Sequence, residues 1–151
     1  MRPLAFVLPL LLFPLTACSQ QPAPLAVEEP WTRDTAGGTA NAAVFLTITS
    51  PTADRLVAAS TPVAARTDLM TMERAGDAMA MVYVDDIDLP AGVPVRLSPA
   101  GLHVWLDGLA RPLAAGESFP LALEFERAGR REVSVSVIAP AAPAPGAKME
   151  M

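Results

Sequence analysis

Apolar and polar residues alternate with a period of two through most of the chain. Val44, Leu46 and Ile48 are interleaved with Phe45, Thr47 and Thr49; Leu121, Leu123 and Phe125 with Ala122, Glu124 and Glu126; Val133, Val135 and Val137 with Ser134, Ser136 and Ile138. Successive side chains of an extended strand point to opposite faces, so these segments predict strands with one face buried. Further candidate strands cover residues 31–33, 55–59, 63–72, 79–84, 93–97 and 102–106, with turn residues at Ala36-Gly37-Gly38, Ser50-Pro51, 73–78, Pro90-Ala91-Gly92, 98–101 and Ala128-Gly129. No internal repeat and no helical period beyond two turns appears, and the 16 prolines argue further against helices. The pattern predicts a single all-β domain, a sandwich or a barrel.

Both ends of the chain depart from this pattern. Met1-Arg2 followed by the apolar run 4–15 reads as an export signal, too short to span a bilayer comfortably. It ends in Leu15-Thr16-Ala17-Cys18, which resembles a lipobox. Residues 1–17 are therefore expected to be a lipoprotein signal peptide, and Cys18 a lipidated anchor at the head of a tether, 18–26, rich in Pro and Gln. Ser19 after the cysteine favours the outer membrane in a two-membrane bacterium, so the expected location is periplasmic and membrane-attached. The folded domain is placed at 27–138. The Pro/Ala-rich stretch 139–151 predicts a mobile, disordered tail, in which Met149 and Met151 are the only soft donors.

Loss of the signal leaves ten basic against sixteen acidic side chains, a net charge of about −6, with no basic cluster beside aromatics. Nucleic acid is not an expected partner. Cys18 is the only cysteine, so neither an internal disulfide nor a thiolate metal site is available to the domain. No Ser/His/Asp set, Cys/His pair, phosphate loop or paired catalytic carboxylates stands out, and an enzyme is not expected. Asp85, Asp86 and Asp88 lack the glycine and distal glutamate of a Ca²⁺ loop and read as a solvated strand end.

The remaining chemistry is concentrated in Met70, Met81, His103 and Trp105, with Met72 and Met79 beside them. Thioether sulfur and imidazole nitrogen are neutral donors that suit Cu(I), and Ag(I) as its surrogate. A hairpin looping through 73–78 would set Met72 opposite Met79 and Met70 opposite Met81, all on one face, with Cβ separations of roughly 4.5–5.5 Å. His103 and Trp105 share one face of their own strand.

These residues resemble the metal motif of the periplasmic copper chaperones of the PCuAC type. That family's pattern is His or Met, ten residues, Met, twenty-one residues, His, one residue, Met, and the spacing falls on Met70, Met81, His103 and Trp105. The resemblance extends through Pro30-Trp31-Thr32-Arg33, Leu89-Pro90-Ala91-Gly92, Leu97 to His103, and Leu109 to Leu113. It implies a cupredoxin-like, immunoglobulin-like Greek-key β-sandwich. It also implies Met70, Met81 and His103 as copper ligands, and delivery of Cu(I) to an acceptor such as a cytochrome oxidase subunit or assembly factor, or a part in copper homeostasis. Met70 stands where histidine is more usual, which favours Cu(I) over Cu(II). Trp105 stands where the last methionine belongs, and its indole face is placed to lie over the ion; Met72 is a candidate replacement ligand. The competing reading is a structural or protein-binding lipoprotein whose metal site has degenerated.

Overall fold

The computed structural model of the protein describes residues 24–147. Ten strands make up the described chain: β1 Ala26–Arg33, β2 Asn41–Thr49, β3 Asp54–Ser60, β4 Ala64–Ala75, β5 Ala78–Tyr83, β6 Ile87–Leu89, β7 Val95–Arg96, β8 His103–Leu109, β9 Ser118–Phe125 and β10 Gly129–Ile138. They form one hydrogen-bonded path, β5-β4-β8-β2-β1-β10-β9-β3-β6, with β7 attached to β2. Every pairing is antiparallel except that of β1 with β10.

Period-two burial folds this path over a single core. Val44, Leu46 and Ile48 of β2, Leu69 of β4, and Val104 and Leu106 of β8 belong to the same buried cluster as Leu56 of β3, Phe119, Leu121, Leu123 and Phe125 of β9, and Val135 and Val137 of β10. The two halves of the sheet thus face each other as the layers of a cupredoxin-like sandwich. The chain turns from one layer into the other along β1, where the register with β2 breaks between Glu28 and Trp31 and Glu29 takes a φ of 50°. A bulge of this kind bends the strand and raises its local twist.

Three features depart from expectation. The hairpin of β4 and β5 closes through a two-residue turn, Gly76-Asp77, rather than a loop over 73–78. Gly76 has a φ of 65° at the first turn position, which suits a type II′ hairpin and comes without steric cost only to glycine. Strand β6, not foreseen, pairs Ile87–Leu89 with β3 and places Asp86 and Asp88 against Arg55, so these carboxylates have a cationic partner. Finally, the Pro/Ala-rich segment that follows β10 is contacted from the domain as far as Ala142. The Arg33 guanidinium, stacked 5.2 Å from the Trp31 ring, donates to the carbonyls of Ala139, Pro140 and Ala142 at 2.9–3.2 Å. Cys18, Met149 and Met151 lie outside the described residues.

Candidate metal centre

Register decides which donors meet. Strand β4 is central to the candidate site, with β8 on one side and β5 on the other. On the β8 side, Met70 lies opposite His103 and Asp68 opposite Trp105. On the β5 side, Met72 lies opposite Met81 and Met70 opposite Tyr83. The expected pairings of Met70 with Met81 and Met72 with Met79 are therefore shifted by two residues, because the turn is centred on Gly76-Asp77, one residue later than the centre of 73–78. A shift of two preserves the side-chain face, whereas a shift of one would have reversed it. Met70, Met72, Met79, Met81, His103 and Trp105 consequently share one face, opposite to that of the core residues Leu69 and Val104.

Hydrogen-bond phase refines the spacing. A two-residue hairpin makes the flanking pair, Ala75 and Ala78, a hydrogen-bonded one, so Met72 and Met81 form a non-hydrogen-bonded pair, in which Cα atoms approach to about 4.5 Å. Met72 directs its own N–H the other way, to the Gly101 carbonyl at 3.2 Å. Met72 is thereby held beside the start of β8, next to His103, and Met81 is one strand further out.

His103 is held from behind. Its Nδ1 lies 2.9 Å from the Gly101 carbonyl. A carbonyl oxygen can only accept, so Nδ1 is the donor, and in the neutral ring Nε2 is the nitrogen left with a lone pair, the arrangement by which a ligating histidine is normally oriented. Nε2 makes no hydrogen bond among the described residues, and no fully buried side-chain nitrogen or oxygen there lacks a partner, so Nε2 retains contact with solvent. The rest of the ring is enclosed: His103 is 3% exposed, with Phe45 at 6.2 Å on one side and Trp105 edge-on at 6.2 Å on the other. Phe45 in turn packs on Trp31 at 4.7 Å. Met70 is as deeply set, at 4% exposure, whereas Met81 is 39% and Met79 51% exposed. The donor set grades from a buried pair, Met70 and His103, through half-buried Met72, to exposed Met81.

Among the described residues no three His, Cys, Asp or Glu side chains converge. Hard-cation chemistry thus has no multi-carboxylate site there, and the donors that share this face are thioethers and one imidazole, the types that suit a soft monovalent ion. Beyond Trp105 on the same face, Arg66 binds Asp68 at 2.8 Å and donates to the Tyr83 hydroxyl at 3.1 Å, anchoring the ring that stands opposite Met70. The cleft lined by Asp54, Arg55, Asp88 and Glu126 lies at the far edge of the sheet and contains none of these donors. Neither the Gly101 carbonyl nor the Phe45 and Tyr83 rings could be singled out beforehand. A backbone acceptor has no residue signature, and both rings enter through register alone.

The sequence matches the LpqE-like family, described as "Putative lipoprotein LpqE-like", over residues 25–137. Among solved structures, the apo PCuAC domain from PmoF1 is similar at 27% identity and a TM-score of 0.66, covering 80% of this chain and 98% of that domain. The Cu(I) form of DR1885 from Deinococcus radiodurans is 29% identical with a TM-score of 0.60, over 81% of this chain and 83% of that one. The copper-bound PCuAC domain from PmoF2, 24% identical with a TM-score of 0.64 over 80% of this chain and 97% of that domain, shares the fold. No curated protein matches the chain. With three quarters of its length matched and the sandwich of these domains, the chain belongs to the LpqE-like family of PCuAC-type proteins.

Proposed function

We propose that this protein is a lipid-anchored, extracytoplasmic carrier of Cu(I), attached through Cys18, which binds the ion with Met70, His103 Nε2 and the Met72/Met81 pair. The observation that carries this reading is the opposition of Met70 to His103, whose Nδ1 is tied to Gly101 while Nε2 is left open beside further thioethers. Trp105, edge-on to the imidazole, screens the site from water. The similarity to DR1885, which has a Cu(I) form, is consistent with this cargo.

The donors are neutral and few, and the outermost of them, Met81, is exposed. An incoming ligand can replace Met81 first and the buried pair afterwards, so the ion passes by exchange without ever being released bare into water. The recipient we infer is a copper site of cytochrome oxidase or one of its assembly factors, and no catalytic step is assigned to the chain. A protein-binding role without metal is favoured by one observation, the exposed apolar residues of β5.

Titration of the full chain with Cu(I) under reducing conditions, in competition with a chromophoric chelator, separates the two. One-to-one uptake that perturbs indole emission and is abolished by His103→Ala is the expected result. Uptake that survives replacement of both His103 and Met81 would place copper elsewhere, and the absence of uptake leaves the protein-binding role.

A further inference from the structure

The two edges of the sheet are built differently. Strand β6 is three residues long, carries Asp88 paired with Arg55 at 3.2 Å, and is followed by Pro90. Short length, charge and proline are the devices that keep an edge from accepting another strand. Strand β5 at the opposite edge has none of them. It runs six residues, AMAMVY, in unbroken register with β4, without a charge or a proline. Of the six large hydrophobic side chains exposed among the described residues, four lie on it: Met79, Met81, Val82 and Tyr83.

The turn also fixes which backbone groups point outward. With Ala75 and Ala78 as a hydrogen-bonded pair, Ala78, Ala80 and Val82 direct their N–H and C=O groups to β4, while Met79, Met81 and Tyr83 direct theirs to the open edge. The Val84 N–H, bonded to the Leu69 carbonyl at 3.0 Å, follows the same phase.

We propose that β5 pairs antiparallel with β5 of a second copy of this chain, about a two-fold axis through Met81. In that register Met81 meets Met81 of the other copy, Met79 meets Tyr83, and Ala80 meets Val82. Every opposed pair within 79–83 is apolar, and the outward-directed residues 79, 81 and 83 are the ones that exchange hydrogen bonds. This is the self-complementarity that an isologous contact requires. The first charges to meet, Asp77 and Asp85, lie just beyond the paired segment and repel weakly. Both copies turn the same face to the same side, so Met72 and Met81 of one chain and Met81 and Met72 of the other form a row of four thioethers. This last consequence rests on the copper reading, whereas the pairing rests on the edge alone.

Sedimentation velocity on the full, metal-free chain from micromolar concentrations to roughly 0.5 mM tests the pairing. The expected result is a concentration-dependent dimer that tightens as salt rises from roughly 0.05 to 0.5 M, because screening removes the Asp77–Asp85 repulsion. Val82→Lys is expected to weaken it at least about tenfold, by placing a charge on the edge. Met79→Pro does the same by a different route, deleting an outward N–H while sparing the bonds to β4. A chain that stays monomeric at the highest concentration overturns the proposal. So does a dimer that persists unchanged in both variants while their melting temperatures show them folded. A metal-free dimer that takes up no Cu(I) upholds the pairing and removes only the copper reading.

Discussion

Replacing Met70 by leucine separates its two contributions, packing and ligation. Met70 is 4% exposed, and truncation to alanine would leave a cavity costing about 2–5 kcal/mol, which would confound any binding measurement. Leucine nearly conserves the volume, so the metal-free protein should lose less than about 1.5 kcal/mol while the thioether disappears. Removing even an outer partner of a metal ligand commonly weakens binding by about 10–100-fold, so deleting one of the few direct donors should cost at least about 100-fold. With free Cu(I) buffered at about one hundred times the wild-type dissociation constant, binding stabilises the wild type by about 2.7 kcal/mol and the variant by only about 0.4 kcal/mol. At roughly 4 °C per kcal/mol for a domain of this size, the copper-induced rise in melting temperature should fall from about 10 °C to about 2 °C. Thermal unfolding with and without buffered Cu(I) reads both quantities in one experiment. If Met70→Leu keeps the full copper-induced rise, Met70 is a packing residue and the ligand set is wrong.

Two further perturbations test the fold, one at each edge of the sheet. Asp54 is 6% exposed, and although burial opposes its charge, hydrogen bonds from the N–H groups of Arg55, Arg127 and Ala128 together with the Arg127 charge hold its carboxyl below the ordinary 3.8. A depressed carboxylate contributes stability that is complete above the unfolded value and is lost as pH falls through the folded one. Acid unfolding should therefore steepen below about pH 4, and Asp54→Asn should remove that step at a cost near neutrality of about 2–4 kcal/mol, read by denaturant titration across pH. At Gly76, φ is 65° and a Cβ would meet nothing within 4 Å, so alanine should cost about 1–2 kcal/mol from backbone strain alone. Asparagine, which tolerates this conformation, should cost less than alanine; equal melting temperatures for the two variants would contradict the turn assignment.

Alternation along β2, β9 and β10 was enough to place the core, because a period of two admits one burial pattern per strand. The common face of the four methionines, and that of His103 with Trp105, was legible because parity survives a register error of two; that the two sets lie on the same face follows only from the β4–β8 register. The partners were not. Whether Met70 meets Met81 or Tyr83 depends on where the hairpin centres its turn, and the string Arg74-Ala75-Gly76-Asp77 admits a centre one residue earlier or later. Contacts to the start of the Pro/Ala-rich segment were not legible either. Proline withdraws a donor but leaves its carbonyl, and Arg33 exploits that by collecting three carbonyls of the segment.

On the proposed copper reading, the burial gradient across the candidate site allows one histidine to suffice. A ligand that must both hold and release an ion needs one donor fixed in orientation and others free to move. His103 is fixed by Phe45, Trp105 and the Gly101 carbonyl, and Met70 sits between it and Tyr83. Met72 and Met81 have flexible, unbranched side chains, Met72 on β4 and Met81 on the edge strand β5, whose single neighbour is β4. Fixed donors therefore lie toward the middle of the sheet and mobile ones toward its edge. An ion held this way is most accessible on the β5 side, which is also the edge left open to another chain. Substitutions at Met81 should accordingly act mainly on the rate of copper exchange, and those at His103 on the equilibrium affinity. Stopped-flow transfer to a chelator would contradict this ordering if Met81→Leu left the off-rate unchanged while lowering affinity as much as His103→Ala.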